Sequence, residues 1–193
     1  MSGRRLPLRV AGLLLLLLPL AGAGAPTVVH HYSLRADVCS VLPLEVLRAA
    51  LGTPVSAPRP TGKDEAAEVS AGCELTFGAV PGGFDGPVVL TIGLFYLPDA
   101  VRASAFHRSW ERVFRLQLGE SVLPVPVPVP GLGTAAYLVP TNARDEMVMV
   151  LDGNAEILGR VEVKGKASDA PRSAVPDTLL VDFVRACLPG LRD

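Results

Sequence analysis

Glu146-Met-Val-Met-Val-Leu-Asp-Gly-Asn-Ala-Glu-Ile-Leu-Gly-Arg-Val-Glu-Val163 is the stretch whose reading decides the fold. Two runs rich in β-branched and aliphatic residues, Glu146–Leu151 and Ala155–Val163, flank Asp152-Gly153-Asn154. That triplet tolerates the positive φ a tight hairpin needs, so the two runs are expected to pair antiparallel. Upstream, Gly131-Leu132-Gly133 reads as a turn feeding a further strand, Thr134–Val139. Before it, residues 124–130 alternate proline and valine, with four prolines in seven positions. Proline has no N–H to give a ladder, so this run is expected to be an extended connector rising about 3.1 Å per residue.

The same period-2 signal appears earlier. Cys73, Leu75 and Phe77 alternate with polar neighbours, and Val88–Leu97 follows a Pro/Gly-rich turn. Three helices complete the pattern. Pro43 suits a first helical position, Leu44, Leu47 and Leu51 form one stripe, and Gly52 supplies the stop. Asp99 opens a second helix to Leu118, expected to bury Phe106, Trp110, Val113 and Phe114. A third, Pro176–Leu188, carries an apolar face that includes Cys187. Residues 53–70, with three prolines and a charged patch, read as a mobile surface loop. The predicted order is α-β-β-α-β-β-β-α: an α+β domain with an antiparallel sheet of about five strands and three helices.

The first 23 residues read differently from the rest. Arg4, Arg5 and Arg9 accompany an apolar run through Leu13–Leu18, and Ala21-Gly22-Ala23 follows. This is the layout of a secretory signal peptide, with cleavage expected after Ala23. The apolar stretch Val10–Ala25 is 16 residues long and is interrupted by Gly12 and Pro19. A bilayer span needs about 20 apolar residues, so a retained anchor is the weaker reading. Leu20-Ala21-Gly22-Ala23 also has the shape of a bacterial lipobox in which Ala23 stands where the acylated cysteine would be. The expected organisation is therefore a leader at 1–23, a flexible tether at 24–36 and a single domain at 37–193, secreted or on the extracellular side of the envelope. With no membrane span expected after cleavage, loss of the three leader arginines takes the net charge from −1 to −4. That balance offers no basic footprint for nucleic acid.

Among residues with chemical potential, Cys39 and Cys73 are the strongest pair. In an exported chain, two cysteines flanking a first helix and a first strand are expected to join. Closing a loop of that size stabilises a fold by about 3–4 kcal/mol. Cys187 reads as a buried small hydrophobe, with pairing to either partner or to a second chain as alternatives. His30 and His31 sit in the tether without a third ligand and make a weak metal site. Gly131-Leu132-Gly133-Thr134-Ala135-Ala136 matches a dinucleotide fingerprint formally but lacks the strand before and the helix after it. His107 and Ser109, two apart on a helix, face different ways and cannot form a dyad. Asp145-Glu146 reads as the start of a strand rather than an acid/base pair. No catalytic residue, cofactor or metal is expected.

Asp37-Val38-Cys39-Ser40-Val41-Leu42, a short helix ending at Leu51-Gly52, Gly72-Cys73-Glu74-Leu75 and the Gly131–Ala136 segment carry a resemblance. Together they resemble a family of small exported actinobacterial proteins and lipoproteins of unknown function, across about residues 37–188. The resemblance implies a Cys39–Cys73 disulfide and an antiparallel sheet sandwiched by helices, similar to the PsbP-like fold. It carries no catalytic residues. Two positions depart from it: Ala23 replaces the lipobox cysteine, and Leu75 stands where many members have tryptophan.

The expectation is a non-enzymatic binding module that presents loops 53–70 and 120–133 to an envelope or extracellular protein or a small ligand. The alternatives are a secreted hydrolase using His107 with scattered acids, and a sensory ectodomain beside a membrane protein.

Overall fold

In a computed structural model, a 3-10 turn (Cys39–Val41) precedes α1 (Leu44–Leu51), β1 (Arg59–Glu65), β2 (Glu68–Phe77) and β3 (Val88–Tyr96). Then come α2 (Ala100–Leu118), β4 (Val127–Pro128), β5 (Ala135–Pro140), β6 (Glu146–Asp152), β7 (Ala155–Val163) and α3 (Asp177–Leu191). The structure describes residues 29–34, 37–52, 55–65, 68–78, 87–118, 125–140, 145–163 and 177–193. The leader, its cleavage position Ala23 and residues 24–28 lie outside them.

The β6–β7 hairpin forms as expected, but its turn is only Gly153-Asn154, Gly153 at φ 57°, and Asp152 belongs to β6, paired opposite Ala155. Its strands sit inside one antiparallel sheet of order β1-β2-β3-β7-β6-β5-β4. The fold is α+β with three helices, as expected, but the sheet has seven strands rather than about five. Both additional strands lie at edges. β1 comes from the 53–70 segment expected to be a loop, and pairs with β2 from Arg59 opposite Glu74 to Glu65 opposite Glu68. An edge strand needs one partner only, and its charges and Pro60 suit an unpaired outer side. β4 comes from the proline connector, where Val129 N–H donates to the Ala136 carbonyl at 2.9 Å. Because valine and proline alternate, the N–H groups present face β5 and the missing ones fall on the outer side.

Helices cover both faces. Val148 and Val150 of β6 pack into the core with Ile92, Ile157, Leu180 and Phe183, under α1 and α3. Met147 and Met149 point the other way, into a smaller cluster with Tyr137, Val139 and Phe114 beneath α2. This explains why every residue of β6 is buried. Cys39 and Cys73 form a disulfide that joins the 3-10 turn to β2, Cα atoms 5.1 Å apart. Gly159 sits where α3 crosses β7, and a Cβ there would fall 2.5 Å from Val184 Cγ2.

Two further expectations need correction. α2 buries Ala103 and His107, while Trp110 and Val113 are each 39% exposed, so the helix is rolled away from its most aromatic side. The residues assigned to a flexible tether include 29–34, which dock on the hairpin. Tyr32 is 1% exposed, its N–H donates to Asn154 Oδ1 at 2.8 Å, and Asn154 donates back to its carbonyl at 3.0 Å. No described helix is long and apolar enough to cross a membrane.

Candidate functional site

α2 starts where Asp99 accepts the Arg102 N–H at 2.7 Å, capping the first turn. Two turns on, its inward face carries His107. Beneath it, alternation along β7 sends Ile157 toward α3 and Glu156 toward α2. The two side chains meet with Nδ1 of His107 2.9 Å from both Glu156 carboxylate oxygens. His107 is 4% exposed and Glu156 0%, so this is a fully interior pair. Burial holds the Glu156 carboxyl above the ordinary range, while the His107 hydrogen bond and charge pull it back down. An Nδ1–H given to Glu156 leaves Nε2 as the ring's available nitrogen, which has no partner among the described residues.

Tyr137 of β5 completes the floor. Its ring lies 4.7 Å from the imidazole, and its hydroxyl donates to the His107 carbonyl at 3.3 Å. Burial raises the phenol's pKa, and the charges of Glu156 and Glu111 add to the effect. Above the floor a slot of about 390 Å³ opens between α2 and the β4–β5 edge. Ser104, His107 and Arg108 line one wall, and Pro126, Ala135 and Leu151 the other. Arg108 donates to Ser104 Oγ at 2.5 Å, and Arg115 is paired with Glu111 at 2.7 Å.

The sequence-derived candidates fall as follows. Cys39 and Cys73 are joined, and Cys187 is a free, buried thiol whose burial pushes its pKa up to about 12. His30 and His31 bind separate acids, Asp152 at 3.0 Å and Asp193 at 2.8 Å. No group of three or more metal-ligating side chains occurs among the described residues. Gly131 and Gly133, at φ 70° and 59°, turn the chain directly into β5, so a strand stands where the dinucleotide motif needs a helix. Ser109 Oγ donates to the Phe106 carbonyl and Ser33 Oγ to Asp193, both away from the slot. Asp145 and Glu146 are buried at the start of β6, with Arg160 3.6 Å from Asp145.

Sequence reasoning missed Glu156 and Tyr137. The available signal was a carboxylate set between Ala155 and Ile157 in the apolar first half of β7, since an interior carboxylate requires a partner.

A second concavity, about 550 Å³, lies between His30, Asp152, Arg185 and Arg192. Its polar groups largely satisfy one another. Asp152 accepts from Tyr32 Oη at 2.5 Å and from Arg192 Nε at 3.0 Å, besides its contact with His30. No protein-family model, curated protein or solved structure matches this chain.

Proposed function

We propose that the protein is exported to the extracellular side of the envelope, where it acts as a non-enzymatic binding module. Its recognition site is the slot between α2 and the β4–β5 edge. The observation that carries this reading is the slot itself: a preformed concavity of about 390 Å³, within the range of small-molecule sites, with polar groups at one wall and apolar ones at the other. Export is supported by the leader-like N-terminus and is compatible with the Cys39–Cys73 disulfide, a bond that persists in oxidising compartments. The kinship with small exported actinobacterial proteins and a PsbP-like arrangement of sheet and helices belong to the same proposal. Of the two segments expected from sequence to present the contact, 120–133 contributes Pro126 and Pro128 to the slot, while no described residue of 53–70 lines it.

A second reading is favoured by one specific feature. Glu156 orients His107 as a carboxylate orients the base of a nucleophilic triad, in a slot also lined by the Ser104 hydroxyl. Against it, no described hydroxyl is hydrogen-bonded to the imidazole, and Ser104 is engaged by Arg108. One experiment separates the two. Purified mature protein is assayed on ester, peptide and glycan panels and, in parallel, used to capture partners and ligands from the producing cell's envelope. Specific capture without turnover supports the binding module. Turnover that is lost in His107→Gln supports the hydrolase and overturns it.

A further inference from the structure

We infer that the slot takes a small amphiphile with an anionic head, its acid group on Arg108 and its apolar body along Pro126 and Leu151. The inference rests on the binding-module reading and names its ligand class.

The charges around the opening are unequal. Glu111 occupies Arg115 through contacts of 2.7 and 3.1 Å. Arg108, exposed at the same rim, has only the neutral Ser104 hydroxyl as a hydrogen-bond partner among the described residues. A guanidinium offers a planar fork of donors matched to a carboxylate or phosphate, and a single hydroxyl uses one of them. This cation, which has no acidic ion-pair partner among the described residues, stands at a concavity in a chain whose overall charge is −1. Charge complementarity therefore points to an anion at the mouth.

The interior asks for something else. Pro126 and Leu151 are buried and line the wall opposite α2. Transfer of apolar surface onto that wall is favourable. The inner end is closed by Tyr137 and His107, both buried. There the imidazole, 96% buried and fixed through Nδ1, leaves Nε2 to hydrogen-bond a polar group that reaches the floor. A ligand that is charged at one end and apolar behind it meets all three surfaces. A strongly hydrophilic anion would leave the proline wall unused.

The probes are octanoate, octanol and octylammonium, titrated calorimetrically into the full mature protein. Octanoate is expected to bind at least tenfold more tightly than octanol, with octylammonium weakest. Arg108→Ala should weaken octanoate about tenfold, the loss expected for a charge-assisted hydrogen bond. Ala135→Trp, at an exposed position on the slot wall, should fill the site and abolish binding; Arg185→Ala, on α3, should change nothing. Equal affinity for the three probes, or octanoate binding untouched by Ala135→Trp, overturns the inference. Absence of octanoate binding also overturns it. If an envelope partner is then captured by wild type and lost in Ala135→Trp, the anionic class has failed while the binding module stands. Turnover of the substrate panels overturns the binding module itself.

Discussion

Glu156 shows how one interior charge can orient a helix. A carboxylate with no exposure is costly unless paired and hydrogen-bonded, and among the described residues the positively chargeable group against it is His107. Seating the imidazole over the carboxylate rolls α2 so that Trp110 comes to the surface, although its ring still stacks with Phe114 at 5.7 Å. Leaving either partner alone should therefore be worse than removing both. Glu156→Leu is expected to destabilise the protein by about 3–5 kcal/mol, and Glu156→Leu with His107→Leu by clearly less. Urea unfolding of the three proteins checks this, and additive losses would show the pair to be uncoupled. Cys187 makes the opposite point, a reactive group silenced by its surroundings. With its pKa pushed up to about 12, almost no thiolate forms near neutrality. Native protein is expected to resist maleimide at pH 7.5, with one thiol labelled per chain on unfolding without reductant. Rapid native labelling would count against the buried position.

At the scale of elements, what could be read from sequence depended on whether a local period coincided with burial. The β6–β7 hairpin was legible because its turn chemistry and apolar runs agree. β1 was not, since Arg59-Pro60-Thr61-Gly62-Lys63-Asp64-Glu65 has a loop's composition and becomes a strand only because β2 offers a ladder. β4 was hidden for a related reason: the prolines do forbid a central strand, but alternation with valine leaves one usable side. For α2, counting aromatic residues placed the buried face too close to Trp110, because the carboxylate that recruits His107 lies 49 residues away. The Cys39–Cys73 pairing was legible as the expected one, from the positions of the two cysteines and the export signal, although Cys187 stayed open as an alternative partner. The bond ties the segment leading into α1 to β2, across a separation of 34 residues. Reduction is expected to lower stability by about 3–4 kcal/mol through the freed unfolded chain. Urea midpoints with and without reductant measure it; a loss below about 1 kcal/mol would mean that packing alone holds the 3-10 turn on the sheet.

For the molecule as a whole, the most consequential contact is the one that gathers both ends of the described domain onto the β6–β7 turn. Asp152, 2% exposed, receives Tyr32 from the N-terminal segment and Arg192 from the end of α3. Asp193 holds the same N-terminal segment through Ser33 and His31. Burial alone would raise the Asp152 carboxyl, but hydrogen bonds from Tyr32, His30 and Arg192 outweigh it and bring the pKa below the ordinary value. The folded state therefore binds this proton less readily than the unfolded chain, whose aspartates titrate near about 3.9. The stabilisation from Asp152 is complete above that pH and is lost as pH falls through the lower, folded-state value. Glu156, with its raised carboxyl, contributes the opposite slope above about 4.3, so a wild-type acid profile alone mixes the two. Asp152→Asn isolates the effect. At pH 7 it is expected to cost about 1–3 kcal/mol, the loss for buried partners left short of a charged acceptor. On acidification below about pH 4 the gap between Asp152→Asn and wild type should narrow, because unfolded wild type takes up the proton first and, below the lower folded-state value, folded wild type is neutral at 152 as well. Urea midpoints of both proteins between pH 2.5 and 7 test this. A gap that stays constant across that range would place the clasp's strength in shape rather than in the charge of Asp152.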